Sequence, residues 1–389
     1  MRLIKNFTLA TVALGVALAV QAAEPLKIGL VLTMTGPFAS YGKQVEHGIQ
    51  LYLAKNGNTI AGRKVELIIK DDAPGTAGDV SKRLAQELVV KDNVDILAGF
   101  VLTPSAFAVA PVATEAKRPM IVLNAATSAI TTKSDYIVRT SMTLPQVTAP
   151  LASWAAKSGI KKVFTVVADY GPGHDAEGQF KKTFTAAGGQ IVGEVRVPVR
   201  NPDFAPYLQK VKDTKPDAVF IFVPAGEAGI AFMKGFQEKG LAKAGIKVIA
   251  TGDLLDEDVL DAIGDPALGV ISSFHYSEAH NSPENKAFTA AYAKAYPKDR
   301  PNFMAVAGYD GMHLIAEVLK KTGGDAEADK FIAAARGMKW TSPRGPISID
   351  PVTRDIVQTV YIRKVTKIAG KLQNVEFDRV ADFKDPGKQ

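Results

Sequence analysis

Thr103 stands directly before Pro104, at the head of a helical pattern that runs to about Ala116. A threonine followed by proline reads as an N-cap and the first helical residue. The same helix start also presents unpaired N–H groups and the positive end of a dipole, which together can hold an anion. Ala125 and Thr127 follow the apolar strand Met120–Leu123. A backbone N–H and a hydroxyl on that loop could complete a carboxylate cradle; the simpler role is a turn shaped by Asn124. Tyr41 and Tyr170 each end a strand-to-helix loop. A tyrosine ring has an apolar face and a polar tip, so two of them on facing walls suit a ligand with an apolar body. A half-buried surface position is the plainer role for each. Asp253 follows the strand Lys247–Ala250 and opens an acidic run with Asp256, Glu257 and Asp258. A helix dipole alone would favour such a run at its N-terminus.

Other chemistries find less support. Gly171-Pro-Gly-His-Asp-Ala176 after a strand, with Glu194 beyond, has the outline of a dinucleotide fingerprint. Pro172 lacks the N–H that such a loop could offer to a pyrophosphate. The histidines His47, His174, His275, His280 and His313 are scattered. His275 and His280 with Glu278 could hold a metal, but an ordinary polar loop is the better account. No His-Glu-x-x-His helix, Gly-x-Ser-x-Gly elbow or Gly-x-x-x-x-Gly-Lys-Ser/Thr loop occurs. Neither a catalytic centre, a metal nor a cofactor is expected.

The N-terminus supplies an address. Arg2 and Lys5 precede an apolar run from Phe7 to Val20, with small residues at Val20 and Ala22, as in a cleavable export signal. Cleavage after Ala22 leaves 367 of the 389 residues, enough for two domains with cores of their own. No later apolar stretch approaches the roughly 18 residues that a membrane span needs. The absence of cysteine excludes a disulfide framework and a lipid-anchored cysteine. A soluble protein of the Gram-negative periplasm is expected. Losing Arg2 and Lys5 with the leader takes the formal charge from +7 to +5, and the excess is spread as single basic residues such as Lys43, Lys82 and Lys181. Without basic blocks interleaved with aromatics, a nucleic-acid partner is not expected.

The elements that must position these residues alternate between strand and helix. Strands are expected at Leu26–Leu32, Lys64–Lys70, Ile96–Ala98 and Met120–Leu123, with helices between. The connection Arg139–Pro145 leads to a second set, with strands Val163–Val167, Gln190–Val197, Ala218–Val223 and Lys247–Ala250. Strand Val270–Phe274, helices Glu284–Ala295 and Met304–Thr322, and strands Ile347–Ile349 and Thr359–Lys364 follow. They read as the chain crossing back to a first lobe and again to a second. Open α/β sheets hold ligands at the carboxyl ends of their strands, which is where the candidate residues fall.

Thr35-Gly-Pro-Phe-Ala-Ser-Tyr-Gly42, Lys70-Asp-Asp72, Met120-Ile-Val-Leu-Asn-Ala-Ala-Thr127, Ala168-Asp-Tyr-Gly-Pro-Gly173 and Asn201-Pro-Asp-Phe204 resemble, in this order, segments of the leucine/isoleucine/valine-binding proteins. These are type I periplasmic receptors of ABC importers. The resemblance implies an α/β fold of two Rossmann-like lobes joined by a three-crossover hinge, with ligand in the interlobe cleft. It places residues 23–142 with 273–345 in one lobe and 143–272 with 346–389 in the other. It assigns ligand contacts to Thr103, Ala125 and Thr127, and side-chain pocket positions to Phe100 and Met304, with Tyr41 and Tyr170 expected on facing walls of the cleft. Asp253 falls where the family's amino-acid receptors carry the acid that pairs with the ligand's ammonium, usually a glutamate. The implied function is capture of a small apolar carboxylate by lobe closure, with a branched-chain or other apolar amino acid first and an aromatic monocarboxylate second. The implied partners are ABC permease subunits in the inner membrane, and the expected state is a monomer. A sensor subunit and a periplasmic enzyme are the readings of other classes.

Overall fold

The computed structural model describes residues 24–388. The expected leader, residues 1–22, lies outside them. The first sheet takes β1 (Leu26–Leu32), β2 (Thr59–Ile60), β3 (Arg63–Asp71), β4 (Ile96–Gly99), β5 (Met120–Val122) and β6 (Ile137–Arg139), with α1 (Ala39–Asn56), α2 (Gly78–Val90) and α3 (Thr103–Ala116) between strands. Its order is β2-β3-β1-β4-β5-β6, and all pairs but β2-β3 are parallel. Leu26, Ile28, Leu30 and Leu32 of β1 enter one core, whereas Val31 enters a second. β5 divides the same way, with Ile121 in the first core and Met120 and Val122 in the second. Side chains alternate across a strand, and a parallel sheet is covered on both faces. Short, near-continuous apolar runs are therefore what these strands require.

The chain then builds α4 (Leu144–Lys157), β7 (Lys162–Ala168), α5 (Gly171–Ala186), β8 (Gln190–Val197), α6 (Ala205–Thr214), β9 (Ala218–Phe222), α7 (Glu227–Glu238), β10 (Lys247–Thr251), α8 (Glu257–Ile263) and β11 (Ile271–Phe274). It returns to the first lobe as α9 (Pro283–Ala295), α10 (Phe303–Lys321) and α11 (Ala328–Ala335), and α10 packs along α1. That packing is close because it is glycine against backbone. A Cβ on Gly48 would overlap the Ala305 carbonyl, and one on Gly308 the Val45 carbonyl.

Strands β12 (Lys339–Ser342), β13 (Gly345–Ile349), β14 (Ile356–Ile368) and β15 (Lys371–Phe383) finish the second sheet. Its order is β12-β13-β14-β11-β10-β9-β7-β8, with β15 running along β14. The pairs from β8 to β11 are parallel and those beyond are antiparallel. Because β12 already pairs in this sheet, the last return falls before Lys339 and not at residue 345, and β11 lies across the expected 272/273 boundary. The two lobes are thus joined by three crossovers, after β6, after β11 and after α11. Arg344, fully buried, ties them together. It donates to the Ser141 carbonyl at 3.0 Å and to Gln358 Oε1 at 2.9 Å, and lies 2.9 Å from Asp310 Oδ2.

Candidate functional site

The carboxyl ends of the two parallel layers meet at a cleft. Tyr41, Thr103, Ala125, Tyr170 and Asp253 line a single enclosed space there, of about 20 Å³. Leu102, Met142, Leu144, Phe222 and Pro224 are among the other residues of its wall. The strand-end rule could have found Phe222, the last residue of β9, and Pro224 just beyond it. Met142 and Leu144 lie on the first crossover and carry no local sign of their role. A larger cavity, about 490 Å³, opens in the second lobe among Trp154, Phe236, Ile246 and Leu268. It contains none of the convergent polar groups of the cleft, so volume alone does not make it the site.

Thr103 is the first residue of α3, with Leu102 in the cap position and no side-chain cap. It is therefore not the N-cap expected from Thr-Pro, and the first-turn N–H groups have no capping side chain. Thr103 Oγ1 lies 2.9 Å from Thr127 Oγ1, and both residues are buried. Thr127 stands behind Thr103, outside the cavity lining. It meets the other lobe at Gly171, where a Cβ would come within 2.6 Å of its hydroxyl. Glycine is needed at that start of α5 because the lobes touch there.

Ala125 keeps its place in the wall but not its expected task. Its N–H donates to the Phe100 carbonyl at 2.9 Å, so it is not available to a carboxylate. The carbonyls of Ala125, Thr127 and Ser128 accept from the buried Arg139 guanidinium at 3.2, 2.8 and 3.3 Å. Phe100 and Met304 do not line the cavity. Phe100 has φ +61° and is buried in the second core of the first lobe, among Val31, Leu97 and Ile130. Met304 is buried in the first turn of α10, its N–H capped by Asn302 Oδ1 at 3.1 Å. Both are packing residues.

The second lobe supplies rings and acids. Tyr170 caps α5 and lies nearly parallel to Phe222, ring centres 6.2 Å apart. Tyr41 sits inside α1, not at a loop end, and its hydroxyl donates across the cleft to the Ala225 carbonyl at 3.0 Å. Burial raises the pKa of both tyrosines well above the ordinary value. Asp253 is buried on a short 3₁₀ turn after β10 and accepts from Thr251 Oγ1 at 2.8 Å. Burial pushes its carboxyl up to about 6, against the opposing effect of the Thr251 hydroxyl.

Further acids of this lobe meet donors of the other. Asp175 Oδ2 accepts the Ser128 N–H at 2.8 Å, and Asp256 Oδ2 accepts from Asn302 Nδ2 at 2.7 Å. Asp258 faces Ser40 and Gln44. The histidine segment does not converge. His280 bonds Glu376 at 2.8 Å, Glu278 is engaged by Arg300 and Lys371, and His275 is buried beside Phe274. The fingerprint-like Gly171–Ala176 lies in the first turns of α5, with Pro172 at its start.

The model of the periplasmic binding protein family matches residues 25–371. The Leu/Ile/Val-binding protein homolog 6 of Brucella melitensis is 45% identical over 367 residues, 94% of each chain. An ABC-transporter solute-binding protein from Rhodopseudomonas palustris BisB5, solved with 3,4-dihydroxybenzoic acid, is 58% identical with a TM-score of 0.91, covering 94% of this chain and 99% of its own. Its counterpart from strain HaA2, solved with p-hydroxybenzoic acid, is 47% identical with a TM-score of 0.91, covering 94% and 100%. With its two lobes, triple crossover and closed cleft, the chain belongs to the periplasmic binding protein family, of the leucine/isoleucine/valine-binding type.

Proposed function

We propose that this protein is the periplasmic receptor of an ABC importer and captures a hydroxybenzoate-type aromatic monocarboxylate by closing its two lobes. The observation that carries this is Asp253, a buried carboxyl that accepts from the Thr251 hydroxyl and lines the same cleft as the rings of Tyr41, Tyr170 and Phe222. The ligand carboxylate lies on the α3 start and the Thr103 hydroxyl, which Thr127 holds from behind at 2.9 Å. The ring lies between the aromatic walls, and a ring hydroxyl donates to Asp253. Such a hydroxyl is served by a carboxyl of either charge. Pairing with an ammonium needs Asp253 ionised in a dry cleft, where desolvation offsets much of the attraction. The dihydroxy- and hydroxybenzoate-bound relatives support the same order, which reverses the ranking expected from sequence.

A zwitterionic amino acid is the second reading, favoured by the presence of any acid at 253. Calorimetry with 4-hydroxybenzoate, benzoate, leucine and phenylalanine separates the two. Tightest binding of 4-hydroxybenzoate is expected, with benzoate weaker by the lost hydroxyl contact. Tighter binding of leucine or phenylalanine than of either acid overturns the proposal. The secreted form begins at Ala23 and is monomeric, so intact mass and light scattering on periplasmic material should give a chain lacking Met1–Ala22 at one copy per particle.

A further inference from the structure

The Thr127–Ser128 end of the ligand loop depends on residues at the far end of the chain. The Ala125 N–H is held by the Phe100 carbonyl, and the Ala126 carbonyl by the Leu144 N–H. The carbonyls of Ala125, Thr127 and Ser128 all accept from Arg139, whose Nε lies 3.0 Å from Asp355 Oδ1. The chain beyond β15 reaches this arrangement at two points. Ser128 Oγ donates to Asp385 Oδ2 at 2.6 Å, with Asp385 buried and its other oxygen accepting the Gly387 N–H at 2.9 Å. Lys388 Nζ contacts Asp355 Oδ2 and Thr131 Oγ1, so it shares the counter-ion of Arg139. The segment lies flat on the loop. A Cβ at Gly387 would be 2.7 Å from Ser128 Oγ and 3.0 Å from Pro145 Cγ. It is moored at its start by Gln146 Nε2 on the Phe383 carbonyl at 2.6 Å and by the Lys384–Asp350 pair at 2.9 Å.

We propose that Lys384–Lys388 is a positioning strap of the ligand cleft, setting the Thr127–Ser128 loop through Asp385 on the Ser128 hydroxyl and Lys388 on the counter-ion of Arg139. This rests on the assignment of Thr103, held by Thr127, to the ligand carboxylate. Ser128 also reaches α5 of the second lobe through its N–H on Asp175, next to the Thr127–Gly171 contact. One residue thus joins the strap, the carboxylate seat and the closing lobe. A misplaced Ser128 shifts Thr127 next to it and weakens the docking of α5. The strap lies outside the cleft lining, so it acts through the loop.

The test uses the full mature chain and three variants: Asp385→Ala, Asp385→Asn and Gly387→Val. Calorimetry with 4-hydroxybenzoate should show about tenfold weaker binding for Asp385→Ala, the worth of a hydrogen bond to a charged group. Gly387→Val, which wedges the strap off the loop, should weaken binding to at least the same degree. Asp385→Asn retains an acceptor oxygen and should recover most of the affinity. Ser128→Ala and Asp385→Ala should be non-additive, because they remove the same contact. Wild-type affinity in folded Asp385→Ala and Gly387→Val overturns the strap, as does full additivity with Ser128→Ala. If the wild-type protein itself does not bind 4-hydroxybenzoate, the ligand proposal fails and the strap is judged without ligand. Hydrogen exchange at the amides of residues 126–128 should then be faster in Asp385→Ala, and unchanged exchange refutes it. Should a variant not fold, Asp385→Asn against wild type in the same exchange experiment decides, with a small or absent change expected at residues 126–128 and exchange as fast as in Ser128→Ala counting against the strap.

Discussion

Asp253 titrates inside the cleft, and the direction of its shift gives a sign that can be tested. Its carboxyl is raised from 3.8 to about 6 by burial. A folded pKa above the unfolded one means that the folded state binds the proton more tightly. The stabilisation is complete below about pH 4 and is lost as pH rises through 6, where ionisation of the buried group costs about 3 kcal/mol. Asp253→Asn should therefore raise the unfolding midpoint of the unliganded protein at pH 7.5, with the gain vanishing near pH 4. The same position should govern hydroxyl recognition. Asp253→Ala should lower 4-hydroxybenzoate affinity about tenfold while leaving benzoate nearly unchanged. Equal losses for both acids would remove the hydroxyl role. Thr103→Ala should weaken both acids by about tenfold to a hundredfold, and Thr127→Ala, which removes the partner of the Thr103 hydroxyl, should weaken both by less. Because the two hydroxyls are 2.9 Å apart, the double variant should fall short of the summed losses.

At the scale of elements, the α1–α10 contact sets the shape of the first lobe. A side chain at Gly308 runs into the Val45 carbonyl, an atom that cannot move without breaking α1. Gly308→Ala should cost about 3 kcal/mol, the upper end of overpacking, and denaturant unfolding measures it. A loss below about 0.5 kcal/mol would mean that the helices separate freely. Several elements had weak signals in sequence. β15, Lys371–Phe383, pairs only with β14, and most of its outer half is exposed, so no apolar alternation marks it. α4 begins with Leu144-Pro145 and contains Pro150, and proline read as a connection where it is in fact an N-terminal residue and an interior one. β6 is three residues long and α11 eight, below the length at which a period declares itself.

At the scale of the molecule, closure brings acids of the second lobe against uncharged donors of the first. Asp175, Asp256 and Asp258 are each raised by burial. Asp385, Arg139 and His174 face the first of them; Glu257, Asp258 and Asp253 the second; Asp299 the third. If the open form leaves these acids in water, the closed form holds protons more tightly and closure takes them up. Affinity for 4-hydroxybenzoate should then strengthen as pH falls from about 7.5 towards 5.5. Calorimetry in buffers of different ionisation enthalpy should report net proton uptake, and release on binding would reverse the sign. Scattering should show a smaller radius of gyration with saturating ligand, since a ligand touching both lobes favours the closed state by its differential affinity. An unchanged radius would exclude closure as the response.

The sequence by itself determined the alternating layers and the strand ends at which ligand residues gather, near which Tyr41, Thr103, Ala125, Tyr170 and Asp253 line one cleft. Those features follow from local pattern, because burial on both faces and the free start of a helix are written in neighbouring residues. Tertiary structure decided which groups remained free for a ligand. Ala125 lost its N–H to Phe100, Phe100 and Met304 went to packing, and Tyr41 found the Ala225 carbonyl 184 residues away. Ser128 found Asp385 at a separation of 257. Hydrogen bonds between distant segments have no periodicity and no required spacing. They exist only once the sheets and helices have brought both ends to one place.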